Sequence, residues 1–314
     1  MGVVREKIAG KFSVVIPTRN RAALLSVAIA SALASPLVTN AKQIIVVDDD
    51  SADTTAQVAG DFDTSYVRVR CHGPSGSRNA GLLFSSTPYI AFLDDDDAWL
   101  PGAMTAQAQA LDETPDAGFA YGQVQLASEE LVPLDYIWPT PPLVSGFAPE
   151  QLFLNLPQIG AVLFRRDVLL ATGGFNTALS FGEDAEMMMR VAARHPIVGV
   201  EAPTVLYRQQ PPSMERANYY WNGRAIVHWR PKNAGVGWRA FAQFETATRG
   251  SFAWRFCQSA AWCAENGQRR DALICLDRAL RISPPHTLLR QHESVLSTLK
   301  TLAATHQKPP EHAY

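Results

Sequence analysis

The chain contains no apolar run approaching the roughly 20 residues that a helix needs to cross a bilayer, so no transmembrane segment is expected. Its first residues, Met1-Gly2-Val3-Val4-Arg5-Glu6-Lys7, hold no apolar h-region, and no secretory signal is expected. Basic charge is not in surplus: 28 Lys and Arg face 30 Asp and Glu, a formal net charge of −2. That balance gives no field to draw the protein onto nucleic acid, which is excluded as a partner. The four cysteines, Cys71, Cys257, Cys263 and Cys275, show neither CxxC spacing nor a His in a zinc pattern. Reduced, mainly buried thiols in a cytoplasmic protein are expected, with peripheral association at the inner face of a membrane left open. Also missing are the fingerprints of dinucleotide and P-loop sites, GxGxxG and GxxxxGK[ST]. What remains is an ordinary composition, 47% hydrophobic and 18% charged over 314 residues, enough for a sizeable core.

The most informative stretch is Phe92-Leu93-Asp94-Asp95-Asp96-Asp97-Ala98-Trp99-Leu100-Pro101. The apolar run Tyr89 to Leu93 reads as a buried strand that ends in four carboxylates. Adjacent like charges raise one another's pKa unless something positive neutralises them. A divalent cation does so, taking carboxylate oxygens and keeping positions open for substrate phosphates. A solvated acidic turn is the plainer alternative, but the strand is too apolar for a surface feature.

Strands and helices alternate along the chain. Phe12 to Ile16 is a strand, stopped by Pro17-Thr18-Arg19-Asn20-Arg21; a helix over Ala22 to Ala34 follows, with Asn20 as its expected cap. Lys42 to Val47 is a second strand, and it too runs into acids, Asp48-Asp49-Asp50. Tyr66 to Arg70 alternates as a strand, and a turn-rich Gly73 to Ser77 leads into a helix from Arg78. Helices are expected from Pro101 to Asp112 and from Met187 to Arg194, with strands at Ala117 to Leu126, Ile159 to Phe164, Val198 to Val200 and Thr204 to Tyr207. Residues 128–148 read as a long irregular loop near a site. This pattern argues for an α/β fold with a mostly parallel sheet and helices on both faces. Two acidic strand ends on one edge suit a nucleotide. Past Pro212 the periodicity is helical, with a single tetratricopeptide-like hairpin at 254–284 and a polar tail at 307–314. The expected division is 1–213 for the catalytic domain and 214–306 for the helical region.

Taken together, Ser13 to Arg21, Val46 to Thr54, Gly76-Ser77-Arg78-Asn79-Ala80-Gly81, Phe92 to Asp97 and Gly182-Glu183-Asp184 resemble the family-2 glycosyltransferases of GT-A fold, a Rossmann-like architecture. The resemblance covers about the first two-thirds of the chain, in the family's order and spacing. It implies an inverting hexosyl transfer from a nucleotide-diphosphate sugar, with UDP favoured, to a glycan or lipid-linked acceptor in polysaccharide or glycoconjugate synthesis. Carried over by motif, Pro17, Thr18 and Arg19 line the nucleoside pocket, Asp49 accepts from the base, and Arg78 faces the base or diphosphate. Asp94 and Asp95 lie by the ribose and metal, with Asp96 the direct ligand of Mn²⁺ or Mg²⁺ and Asp94 a second. Asp184 is the general base, with Glu183 competing for that role.

Two departures stand out. Asp50 replaces a Gly common in the second motif, and Gln210 stands where many members carry a His beside the metal or diphosphate. An amide is a poorer metal ligand than imidazole. Trp138 and Tyr136 are candidate acceptor contacts, and Trp221, Arg224, His228 and Trp229 are further aromatic and basic candidates in the helical region. The competing readings are a catalytically weak or inactive nucleotide-sugar-binding scaffold, and a nucleotidyltransferase.

Overall fold

The computed structural model describes residues 10–179, 181–214, 216–218, 238–283, 298, 300 and 301. The chain divides into two compact units, with the break between Gln210 and Pro211.

In the first unit a nine-stranded sheet has the order β3-β2-β1-β4-β8-β6-β9-β5, with β7 added on β6. β1 (Phe12–Thr18), β2 (Ile44–Asp49), β3 (Ser65–Val69) and β4 (Tyr89–Phe92) are mutually parallel; β1, β2 and β4 have the near-continuous apolar sequences of strands covered on both faces, whereas the edge strand β3 alternates and is only partly buried. α1 (Ala22–Leu33), α2 (Thr55–Asp61) and α3 (Pro74–Phe84) make the connections between them. Every residue of β2 is buried. Thr18 is level with Asp48, and the Leu93 N–H bonds back to the Val15 carbonyl, so β1, β2 and β4 end on one edge.

The rest of the sheet is mixed. β8 (Val162–Arg165) pairs antiparallel with both β4 and β6 (Phe119–Ala127), while β9 (Ile197–Arg208) runs parallel to β6. β5 (Ala98–Trp99) pairs antiparallel with β9 and thereby ties the chain just after the acid cluster to Val205 and Leu206. α4 (Thr105–Glu113), α5 (Pro149–Leu154), α6 (Arg166–Ala171) and α7 (Glu183–Ala192) complete the unit.

Several elements differ from the sequence pattern. The stretch 128–148 is not irregular throughout: β7 (Pro133–Trp138) pairs antiparallel with β6. A pairing made with a strand already well separated in sequence leaves no local signal. The two short strands expected near 200 are one, β9, bulged opposite β6 where Pro203 interrupts the register. Pro101 opens a turn rather than a helix; Gly102 and Met104 take positive φ, and α4 starts only at Thr105. The turn-rich residues Pro74 to Ser77 are themselves the first turn of α3, with Pro74 at its permitted N-terminal position. Asn20 does not cap α1. Its Oδ1 accepts from the Ala52 N–H, and the Ala22 N–H at the helix start is bonded by Asp53 Oδ2 at 3.0 Å.

In the second unit α8 (Trp238–Glu265) and α9 (Arg269–Ile282) form a helical pair. α8 stops where Gly267 takes a φ of +73° and the Gln268 N–H reaches back to the Cys263 carbonyl, a Schellman-type ending. Buried Cys263, Ala264 and Ala272 pack between them. Trp221, Arg224, His228, Trp229 and the tail 307–314 lie outside the described residues.

One close approach governs the active edge. A Cβ at Gly81 of α3 would sit 2.4 Å from a Val15 methyl of β1. Gly81→Ala is therefore expected to force α3 off the sheet and cost about 1–3 kcal/mol, the range for overpacking a filled core. Chemical denaturation reads the loss, and an unchanged midpoint would contradict this packing.

Candidate active site

The site is built where β1, β2 and β4 end. Of the four successive acids, Asp95 and Asp97 point inward and are buried, 5% and 1% exposed, whereas Asp94 and Asp96 are partly open. Between β4 and β5 the acids form a turn, closed by the Asp97 N–H on the Asp94 carbonyl at 3.1 Å, and the turn sets which carboxylates face inward.

Each acid has partners. Thr18 Oγ1 donates to Asp95 Oδ2 at 2.7 Å, and Arg21 Nη1 donates to Asp95 Oδ1 at 2.9 Å and to Asp96 Oδ2 at 3.3 Å. Gln210 Nε2 donates to the same Asp96 oxygen at 2.6 Å. Gln158 Nε2 donates to Asp94 Oδ2 at 3.2 Å and to Asp97 Oδ2 at 3.1 Å, while its Oε1 accepts from the Gly160 N–H. The Arg208 backbone N–H donates to Asp97 Oδ1 at 2.9 Å, and the Arg208 guanidinium bonds the Asp96 and Glu129 carbonyls. Arg78 donates to Asp94 Oδ1 at 2.7 Å and to Glu183 Oε1 at 2.6 Å.

Asp94, Asp95, Asp96, Asp97, Glu183 and Asp184 thus bring six carboxyl groups to a place where Arg21, Arg78 and Arg208 supply three guanidinium groups. The imbalance shows in the proton affinities. Burial pushes Asp95 up to about 6, against the opposing pull of Arg21 and Thr18. Burial, reinforced by Asp96 and Asp94, holds Asp97 well above the usual carboxylate range. Burial and the adjacent Glu183 raise Asp184 to about 6 despite Arg78. Burial alone would lower Arg78, but Asp94, Glu183 and Asp184 outweigh it and keep the guanidinium firmly protonated.

The same imbalance bears on a metal. Among the described residues no three His, Cys, Asp or Glu side chains converge as a cage. The open pair is Asp94 and Asp96, in an environment with surplus negative charge. One or two carboxylates completed by substrate phosphates is the usual manner of holding Mg²⁺, so these residues fit a divalent cation shared with a diphosphate. Gln210, in the expected His position, bonds Asp96 instead of offering an imidazole nitrogen.

The remaining expected site residues are distributed as follows. Pro17 and Thr18 lie at the end of β1, and Arg19 is exposed beside them. Asp49 is less available than its motif implied: it is 4% exposed, and its carboxylate accepts from the N–H groups of Cys71 (2.7 Å), His72 (3.1 Å) and Gly73 (2.9 Å). Asp49 thereby shapes the loop entering α3. Asp50 does not disturb the second motif, because it adopts a φ of +59°, the left-handed conformation a Gly would take, with Arg68 and Arg70 on its carboxylate. Trp138 packs against the core, whereas Tyr136 is exposed on β7.

Sequence reading missed Arg21, Gln158 and Arg208. Arg21 lies inside the Pro17 to Arg21 motif and was within reach of it. Gln158 sits 61 positions from Asp97 in a segment without a motif, and nothing local marks it.

Residues 13–168 match the sequence model of glycosyl transferase family 2. The succinoglycan biosynthesis protein ExoU of Rhizobium meliloti is 29% identical over 205 residues, 57% of this chain and 56% of that protein. A GalNAc(5)-diNAcBac-PP-undecaprenol beta-1,3-glucosyltransferase of Campylobacter jejuni is 36% identical over 110 residues, 33% of this chain and 35% of that one. The chain spans 61% or less of the length of these and similar curated relatives. Among solved structures, S. aureus TarS 1–349 in complex with UDP-GlcNAc aligns with a TM-score of 0.54 at 15% identity, over 90% of this chain and 92% of that one. Mannosyltransferase PcManGT from Pyrobaculum calidifontis, in complex with GDP-Man and Mn²⁺, aligns at 0.53 with 16% identity, over 94% and 86% of the two chains. At such identities the structural likeness speaks for the fold alone, and that fold is GT-A. Through residues 13–168, with the acid edge and the start of the Arg78 helix inside them, the chain belongs to glycosyl transferase family 2.

Proposed function

We propose that the protein is an inverting glycosyltransferase that moves a hexosyl group from a nucleotide-diphosphate sugar, UDP-linked by preference, to a hydroxyl of a lipid-linked or glycan acceptor. The observation that carries this reading is the meeting of the Asp94–Asp97 edge with the acidic N-terminus of α7, joined by Arg78. The printed names of relatives, which act on undecaprenol-diphosphate glycans, support the acceptor class. Among the described residues no helix is long and apolar enough to cross a membrane.

The two acids at the start of α7 differ in a way that divides their roles. Glu183 is buried and ion-paired to Arg78 at 2.6 Å, so its carboxylate is already engaged within the protein. Asp184, raised to about 6, is closer to the pH at which a general base works best. In the proposed step Asp184 takes the acceptor's hydroxyl proton as the oxygen bonds to the anomeric carbon. The bond from that carbon to the diphosphate breaks in the same displacement, and the electron pair leaves with the nucleotide. Held by Asp96 and Asp94, Mn²⁺ or Mg²⁺ would offset the negative charge that grows on the leaving diphosphate. Thr18 and Arg21 keep Asp95 and Asp96 fixed while this happens, so the edge need not rearrange. Pro17, Thr18 and Arg19 line the nucleoside side, and the exposed Leu134, Tyr136 and Ile137 of β7 offer an apolar surface to the acceptor. The helical region from 214 onward is read as an accessory unit.

Gln210 on Asp96 gives one specific ground for a second reading, a nucleotide-sugar-binding protein with weak turnover. Nucleotide release from sugar nucleotides separates the two. Mn²⁺-dependent release of UDP that disappears in Asp184→Ala supports transfer; retained UDP binding with no release of any nucleotide supports the binding module. A thermal-shift panel of UDP, dTDP, GDP and CMP, with and without Mn²⁺, is expected to show its largest rise for UDP with Mn²⁺. A ligand at 100 times its Kd stabilises by about 2.7 kcal/mol, and Asp96→Asn should remove the Mn²⁺-dependent part. A panel without any shift would refute the donor site.

The pH dependence follows in sign from Asp184. Its carboxylate form is the base and its pKa is raised to about 6. The log of kcat/KM should therefore fall as pH drops through 6, approaching about tenfold per unit below it. A profile flat down to pH 4.5 would contradict the assignment.

A further inference from the structure

A single side chain joins the end of β4 to the start of α7. Arg78 is 4% exposed, and its two terminal nitrogens are engaged by Asp94 and Glu183. Its Nε is buried without an acceptor. A residue that greets a nucleotide keeps donors facing open space; the donors of Arg78 are directed at protein carboxylates.

The surroundings fix this side chain in plane and in position. The guanidinium lies over the Phe175 ring, 5.6 Å from its centroid. Phe175 in turn packs edge-on against Phe92, the last residue of β4, at 5.0 Å. The neighbouring Asn79 clamps the same segment: its Nδ2 donates to the Phe175 carbonyl at 2.8 Å, and the Phe175 N–H donates to its Oδ1 at 2.7 Å. From α7, Arg190 donates to the Thr172 and Gly174 carbonyls and pairs with Glu186. The chain before α7 is thus held to α3 on one side and to α7 itself on the other.

We propose that Arg78 is a positioning residue for glycosyl transfer rather than a donor contact: it sets the separation between the donor-holding edge at Asp94 and the helix that presents Asp184. Glu183 is then the anchor through which Arg78 holds that helix, not a second base. The inference rests on Asp184 being the base. The charged groups that face Asp184 are Glu183 on its own helix, Arg78 from α3 and Asp94 from the end of β4, and Arg78 is the cation of that set.

The test compares Arg78→Lys, Glu183→Gln and the double variant with the unaltered chain. UDP affinity is read by titration calorimetry, and kcat and KM by UDP release. A misplacement of about 1 Å at a reacting centre costs about 100-fold, so kcat is expected to fall by that order in each single variant. UDP affinity should stay within about threefold, because the contact removed is not to the nucleotide. The double variant should be no worse than the poorer single one, and the acid limb of the Arg78→Lys profile should move to higher pH. Loss of UDP affinity in step with kcat would make Arg78 a donor contact and overturn the proposal. So would single-variant losses that multiply in the double variant, or a lowered melting temperature with kcat and the pH limb unchanged. Should Arg78→Lys not fold, Glu183→Gln, which keeps the shape of the contact, is read by itself: kcat lost with UDP affinity kept supports the bridge, and an unchanged kcat overturns it. A wild type that releases no nucleotide would refute glycosyl transfer itself; the bridge would then be judged by melting temperatures, where additive shifts in the double variant overturn it.

Discussion

Six carboxyl groups meet at one sheet edge, and burial disfavours the charge of three of them, Asp95, Asp97 and Asp184. The rest of the first unit can be understood as the means of tolerating them. Arg78 bridges two, Arg21 bridges two more, Gln158 joins Asp94 to Asp97, and a backbone N–H of β9 supports Asp97. Burial raises the proton affinities of Asp95, Asp97 and Asp184 by more than these contacts offset. A substrate that brings a cation with its diphosphate, and a hydroxyl that must lose a proton, uses both parts of that residual imbalance.

Scaffold features far from the chemistry acquire a purpose in this light. Gly81 lets α3 approach β1 closely enough for Arg78 to reach both partners. Asp49 holds the loop 71–73 with three N–H contacts and so fixes where α3 begins. β5 and β9 fasten the chain immediately after Asp97, which keeps the acid run from swinging outward. Trp99 adds a bond from its indole N–H to the Gly160 carbonyl, within the turn that orients Gln158.

Much of this was legible before any coordinates. The apolar runs that became β1, β2 and β4 have no other stable environment than a parallel sheet, and the acids at their ends located the edge. What was not legible depends on contacts between distant positions. Nothing local in Pro133 to Trp138 says that it pairs with β6, and nothing in Gln158 marks it as the partner of two aspartates. Which member of Asp94–Asp97 would be buried required the surrounding strands. A motif names Arg78 and Asp49 but not the direction in which their side chains face. Asp50 shows the converse: the sequence departs from the common Gly, yet the backbone keeps the conformation that Gly would supply.

The central claim is a single displacement with one base, Asp184, and no covalent intermediate. The anomeric configuration of the product tests it most directly. With an α-linked sugar nucleotide, proton NMR of the freshly formed glycoside should show the β-anomer, the outcome of one inversion. An α-linked product would require either two displacements or attack from the face the diphosphate leaves, and would contradict the account.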